Sequence, residues 1–161
     1  MTQLTHLDAQ GQAMMVDVSA KAETVRYAVA QGSIRMNATA FEAIVAGKVK
    51  KGDVLAVARV AGIMAAKHTS AMIPLCHPLM LSQARIEFTL DEQEHTIEAE
   101  ATTKITGKTG VEMEALCAVS TALLTIYDMA KALDRTMVIG DICLLEKAGG
   151  KSEHFQREVA S

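Results

Sequence analysis

Ala84-Arg85-Ile86-Glu87-Phe88-Thr89-Leu90, followed by Asp91-Glu92-Gln93-Glu94 and then Thr96-Ile97-Glu98-Ala99-Glu100-Ala101, is the stretch on which the fold turns. In both runs apolar and polar residues alternate, the period of a strand with one face buried and one face wet, and the acidic tetrapeptide between them reads as a hairpin turn. Upstream, Val25, Tyr27 and Val29 occupy every second place, which predicts another strand over Thr24–Met36. Asn37 and Asp53 are N-cap residue types and Gly47 is a helix stop, so two helices follow that strand, the second running towards His68. Downstream, a long helix is predicted from about Gly110 to Leu133. Leu116, Val119, Leu123, Ile126, Ala130 and Leu133 make one apolar stripe, and Met113, Cys117, Leu124 and Tyr127 make an adjacent one. That is wider than a surface helix requires, so part of it is expected to lie under another subunit. A last strand is predicted over Met137–Leu145. The order β-α-α-β-β-α-β predicts an α+β fold, a ferredoxin-like split βαβ with an additional helix and an antiparallel sheet packed on helices. Residues 1–161 fit a single domain, with 1–23 and 148–161 expected to be mobile ends.

Composition narrows the function classes. Half of the 161 residues are hydrophobic, which excludes whole-chain disorder, and no apolar run reaches the ~20 residues of a membrane span. No basic n-region precedes an apolar stretch at the N-terminus. Cys76, Cys117 and Cys143 are odd in number and never form a C-x-x-C pair, the pattern of reduced thiols in a cytoplasmic protein. A net charge of -3, no tryptophan and 3% aromatics argue against a nucleic-acid surface.

Several polar groups carry candidate chemistry. Pro74 and Pro78 bracket Leu75-Cys76-His77, and Pro78 restrains His77 towards an extended backbone. That mount suits an imidazole at a binding edge, or simply a packed turn. Cys76 and His77 are a poor metal pair, because neighbours in an extended segment point to opposite sides. Asp128 and Lys131, three apart on a helix and set among apolar residues, are either a desolvated acid/base couple or a surface ion pair. Thr106-Gly107-Lys108-Thr109-Gly110 fails the P-loop test, since Thr102 stands where the first glycine is needed. It retains the glycines and free N–H groups of an anion-binding helix start, with Lys108 adding charge. Thr109 and Glu112 also have capping-box spacing, which leaves Glu112 between a cap and a pocket group. Lys48, Lys50, Lys51, Lys147 and Lys151 are further cations able to gather phosphates.

Met15-Val16-Asp17-Val18-Ser19, Lys51-Gly52-Asp53-Val54, Ile73-Pro74-Leu75-Cys76-His77-Pro78-Leu79, Thr106 through Leu116, and Ile126-Tyr127-Asp128-Met129 with Lys131 occur in one order across nearly the whole chain. Together they resemble the cyclic pyranopterin monophosphate synthase family, molybdenum cofactor biosynthesis protein C. The resemblance implies conversion of 3',8-cyclo-7,8-dihydroguanosine 5'-triphosphate to cyclic pyranopterin monophosphate with release of pyrophosphate. It implies Asp128 as the active-site aspartate and Lys131 as an essential lysine. Substrate contacts fall on Leu75, Cys76, His77, Met113 and Glu114, with Lys51 and Glu112 lining the pocket and Lys147 and Lys151 on a phosphate-binding tail. A homohexamer built as a trimer of dimers, with interfacial active sites, is also implied. No cofactor is required by the sequence, which leaves room for Mg²⁺ carried on the substrate triphosphate. Two other classes compete: a small-ligand sensor, which needs no Asp128–Lys131 couple, and a ferredoxin-like RNA binder, which needs hairpin aromatics where only Phe88 stands.

Overall fold

The computed structural model describes residues 6–151 and 154–158. Among them the elements run β1 (Thr24–Arg35), α1 (Ala38–Val45), α2 (Val54–Lys67), α3 (Thr69–Met72), β2 (Gln83–Asp91), β3 (Thr96–Gly107), α4 (Glu112–Ala130), β4 (Val138–Ala148) and β5 (Phe155–Gln156). The sheet order is β2-β3-β1-β4-β5. Every neighbouring pair is antiparallel. β1 and β2 therefore run the same way with β3 between them, the ferredoxin-like split βαβ. β5 extends the sheet beyond that core.

Alternation decides which face is buried. Ala28, Ala30 and Ile34 of β1 and Ile97, Ala99, Ala101 and Ile105 of β3 point into one core with Ala115, Val119, Leu123 and Ile126 of α4. The intervening Glu98, Glu100 and Lys104 remain on the open face. α2 packs beside α4 through small residues. Gly62 is tight enough that a Cβ there would meet Ala118 O at 2.7 Å and would also strike Ile86. By length and composition α4 would qualify as a membrane span, yet 56% of it is buried in the fold, as befits a core helix.

The caps hold where the sequence placed them: Asn37 Oδ1 accepts from Ala40 N at 2.8 Å, and Asp53 Oδ1 from Ala56 N at 3.0 Å. The long helix is shorter than the expected 110–133. Val111 occupies its N-cap position with no side-chain cap, so the capping-box reading of Thr109 and Glu112 is corrected. The β5 strand was not expected, and α3 continues the second helix after a break at His68.

Candidate active site

The start of α4, the loop after α3 and the N-terminal segment converge on a cavity of about 290 Å³. It is lined by Leu75, Cys76 and His77 from the loop, by Glu112, Met113 and Glu114 from α4, and by Val16, Val18 and Lys21 from the N-terminal segment. Cys76 and His77 thus line one cavity, because the chain turns at Pro74-Leu75 and Cys76 N donates to Ile73 O at 3.1 Å. His77 Nε2 lies 2.8 Å from Val16 O. A carbonyl can only accept, so this nitrogen carries a proton, and in the neutral imidazole Nδ1 is the acceptor. Lys108 is spent differently from the anion-loop expectation, since its ammonium donates to Ser19 O at 2.9 Å and pins the N-terminal segment.

Glu114 is the unusual charge in this cavity. It is 4% exposed, and burial pushes its carboxyl up to about 7, with the Glu112 charge adding to the shift. The carboxyl can therefore hold or release a proton near neutrality. Burial also raises the thiols of Cys76 and Cys117, and the Glu114 charge pushes both the same way. Neither thiol is activated as a nucleophile.

A second cavity, about 190 Å³, adjoins the first through their shared lining residues Lys21, Thr109, Gly110 and Glu112. Its other walls include Arg26, Tyr27, Lys147 and Gly149. Three cations face it. Lys147 Nζ bonds Glu112 Oε1 at 2.8 Å, and both side chains are partly buried, so Glu112 supports a cation instead of capping its helix. Sequence reasoning missed Lys21 and Arg26. Arg26 sits in a strand as an ordinary polar alternate, and only the β1–β3 register, which sets Thr24 opposite Gly107, carries it to the α4 start. Lys151, expected on the phosphate-binding tail, is exposed and is not part of either lining.

Asp128, Lys131 and Lys51 form a separate cluster. Asp128 Oδ1 accepts from Lys131 at 2.7 Å and its Oδ2 accepts from Lys51 at 3.1 Å. Those two lysines hold the Asp128 carboxyl below the ordinary carboxylate range, Lys131 first. All three side chains are at least half exposed, so within one chain the surface ion pair is the one of the two readings that the geometry matches. Their apolar sequence neighbours Ile126, Met129 and Ala130 point into the core from the other side of the helix. Lys51, expected to line the substrate pocket, belongs to this cluster within the chain. Fourteen residues of helix separate Glu114 from Asp128, about 21 Å at 1.5 Å per residue, so one chain does not join the two clusters.

The match to the MoaC family model covers residues 15–150, which includes the cavity-lining residues named above and the Asp128 cluster. The chain belongs to the MoaC family. It is 62% identical over 156 residues to the cyclic pyranopterin monophosphate synthase of Desulfitobacterium hafniense, covering 97% of this chain and 95% of that protein. It is 60% identical to the enzyme of the same name from Heliobacterium modesticaldum, covering 98% and 99% of the two chains. A third such enzyme, from Thermoanaerobacter pseudethanolicus, is 59% identical with 97% and 99% covered. Membership of the MoaC family at this identity rests on the whole chain and not on one motif.

Proposed function

We propose that the protein is a cyclic pyranopterin monophosphate synthase, converting 3',8-cyclo-7,8-dihydroguanosine 5'-triphosphate to cyclic pyranopterin monophosphate and pyrophosphate in molybdenum cofactor biosynthesis. The observation that carries this reading is the pairing of two adjoining cavities of different character. One holds a buried carboxyl poised near neutrality, and the other gathers Lys21, Arg26 and Lys147.

Rebuilding a purine-derived ring needs repeated proton transfers. In the first cavity Glu114 exchanges a proton near pH 7, and His77 offers Nδ1 as an acceptor while Val16 O fixes its ring. Leu75, Cys76 and Met113 supply the apolar walls that exclude water around a flat ring system. The triphosphate lies in the second cavity. Closing a ribose hydroxyl onto the α-phosphorus expels pyrophosphate, and the charge that develops on the leaving group is met by Lys21, Arg26 and Lys147. The described residues contain no group of three or more His, Cys, Asp or Glu able to hold a metal ion. Mg²⁺, where used, accompanies the phosphates, and no step above runs through it.

Lys131 is the acid/base group that completes the site, with Asp128 orienting it and supporting its charge. Because the pair is exposed and about 21 Å from Glu114 along the helix, a second copy must bring it to the cavity. An apolar surface on the same layer suits that copy: Val57, Val60 and Met64 line the outside of α2, and Leu124 stands one turn before Asp128 on α4. A two-fold dimer pairing α4 with its antiparallel copy makes two composite sites, and three such dimers make a hexamer. Three free cysteines support the reading of a reducing, cytoplasmic compartment. The test is turnover of the cyclic dihydroguanosine triphosphate by the purified chain, with one pyrophosphate released per pterin product. Release of orthophosphate alone, or no reaction, would reject the proposal.

A further inference from the structure

The second cavity is walled in part by a segment that sequence patterning leaves as a loose end. After β4 the chain turns through Gly149 and Gly150, at φ of 102° and 80°, and returns as β5 with Glu146 opposite Gln156 and Lys147 opposite Phe155. Neither glycine has room for a side chain. A Cβ on Gly149 would strike Val25 O and lie 2.9 Å from Arg26 Cα, while one on Gly150 would strike the Arg26 guanidinium. The turn is thus seated on Arg26, whose Nε donates to Gly107 O at 3.0 Å.

Two paired residues are too few to hold a strand on a sheet edge. The return strand is fastened by side chains as well. Arg157 donates from its backbone N to Leu145 O at 2.7 Å and from Nε to Leu144 O at 2.8 Å. Nearer the cavity, one carboxylate oxygen does two jobs: Glu146 Oε1 accepts the Tyr27 hydroxyl at 2.5 Å and faces His154 Nε2 at 2.7 Å. That oxygen joins β1, β4 and the tail at a single point. Tyr27 itself lines the cavity, and Lys147 is the residue next to Glu146.

We propose that Tyr27, Glu146 and His154 form a latch that holds the returning tail on β4 and thereby positions Lys147 and Arg26 for a polyphosphate in the second cavity. The latch rests on the reading of that cavity as the triphosphate site. Its members are positioning residues and act through the two cations. Glu146 is the hub, since its removal frees both the phenol and the imidazole. With the hub gone, the tail hangs on two residue pairs and Arg157, and the Gly149-Gly150 turn no longer presses on Arg26.

The experiment compares the full-length wild type with Glu146→Ala and Glu146→Gln. Hydrogen exchange follows the Arg157 amide, calorimetry follows inorganic tripolyphosphate, and steady-state kinetics follow the substrate. In Glu146→Ala, Arg157 exchange should quicken and tripolyphosphate affinity should fall, each by about tenfold, with KM rising alongside and kcat holding within about twofold. Glu146→Gln keeps an acceptor oxygen and should recover part of both effects. Unchanged Arg157 exchange in Glu146→Ala overturns the latch, and faster exchange with unchanged affinity overturns its positioning role. A wild type that does not bind tripolyphosphate removes the cavity reading beneath the latch, a failure visible without any variant.

Discussion

Replacing Glu114 by glutamine should abolish a fall in stability that the wild type shows between mildly acidic and neutral pH. The Glu114 carboxyl is raised from 4.5 to about 7 because burial penalises its charge. The native state therefore binds this proton more tightly than the unfolded chain does. The stabilisation is complete below 4.5 and is lost as pH rises towards 7. At about 1.4 kcal/mol per pKa unit, the loss attributable to this one group is about 3 kcal/mol. Glutamine keeps the shape and cannot ionise, so its curve lacks that loss. Asp128 and Glu146, whose carboxyls are lowered, slope the other way in both proteins and cancel in the difference. Urea unfolding at fixed protein concentration, at half-unit steps from pH 4.5 to 7.5, gives that difference. It should swing by up to about 3 kcal/mol in favour of the variant as pH rises. A difference constant within about 0.5 kcal/mol would show that Glu114 titrates normally and would remove it as a neutral-pH proton carrier.

Lys131→Ala should abolish turnover while circular dichroism and oligomer size stay as in the wild type, and Lys131→Arg should fail to restore it, because a guanidinium does not release its proton near neutrality. Turnover at the wild-type rate in either variant rejects the assignment. Gly62→Ala should destabilise the chain by about 1 to 3 kcal/mol in chemical denaturation, since the added methyl has no space at the α2–α4 crossing. An unchanged or higher midpoint would show that the crossing relaxes freely.

The β2–β3 hairpin was legible because each of its strands carries its own alternation, whereas in β1 the strand was legible but its buried face was not: Val25, Tyr27 and Val29 were read as the apolar face, and the small residues Ala28 and Ala30, with Ile34, are the ones buried under α4. Ile86, Ile97, Ala99 and Ala101 point to the core as the pattern requires, and Asn37 and Asp53 cap their helices through local contacts. What failed depends on distant pairing. Phe155 and Gln156 have no strand signal of their own and become β5 only by meeting Lys147 and Glu146. Thr109 and Glu112 have the spacing of a capping box, but the helix starts at Glu112 itself and Lys147 takes its carboxylate. Composition around Asp128 left a desolvated couple and a surface ion pair both open, because on a helix the apolar sequence neighbours face other directions, and Asp128 is 57% exposed in the single chain. Half of the candidate site was readable from motif residues such as His77 and Glu114. The cations Lys21 and Arg26 needed the register of the sheet.

The shared site is best tested with mixed oligomers of Lys131→Ala and His77→Ala, two variants that should each be inactive alone. Each variant retains the half-site the other lacks, and a two-fold dimer holds two composite sites. Random one-to-one assembly should leave about a quarter of all sites with both halves intact, and activity should return to roughly that fraction of the wild type. Co-purified mixed oligomers with no activity would mean that each site is assembled within one chain.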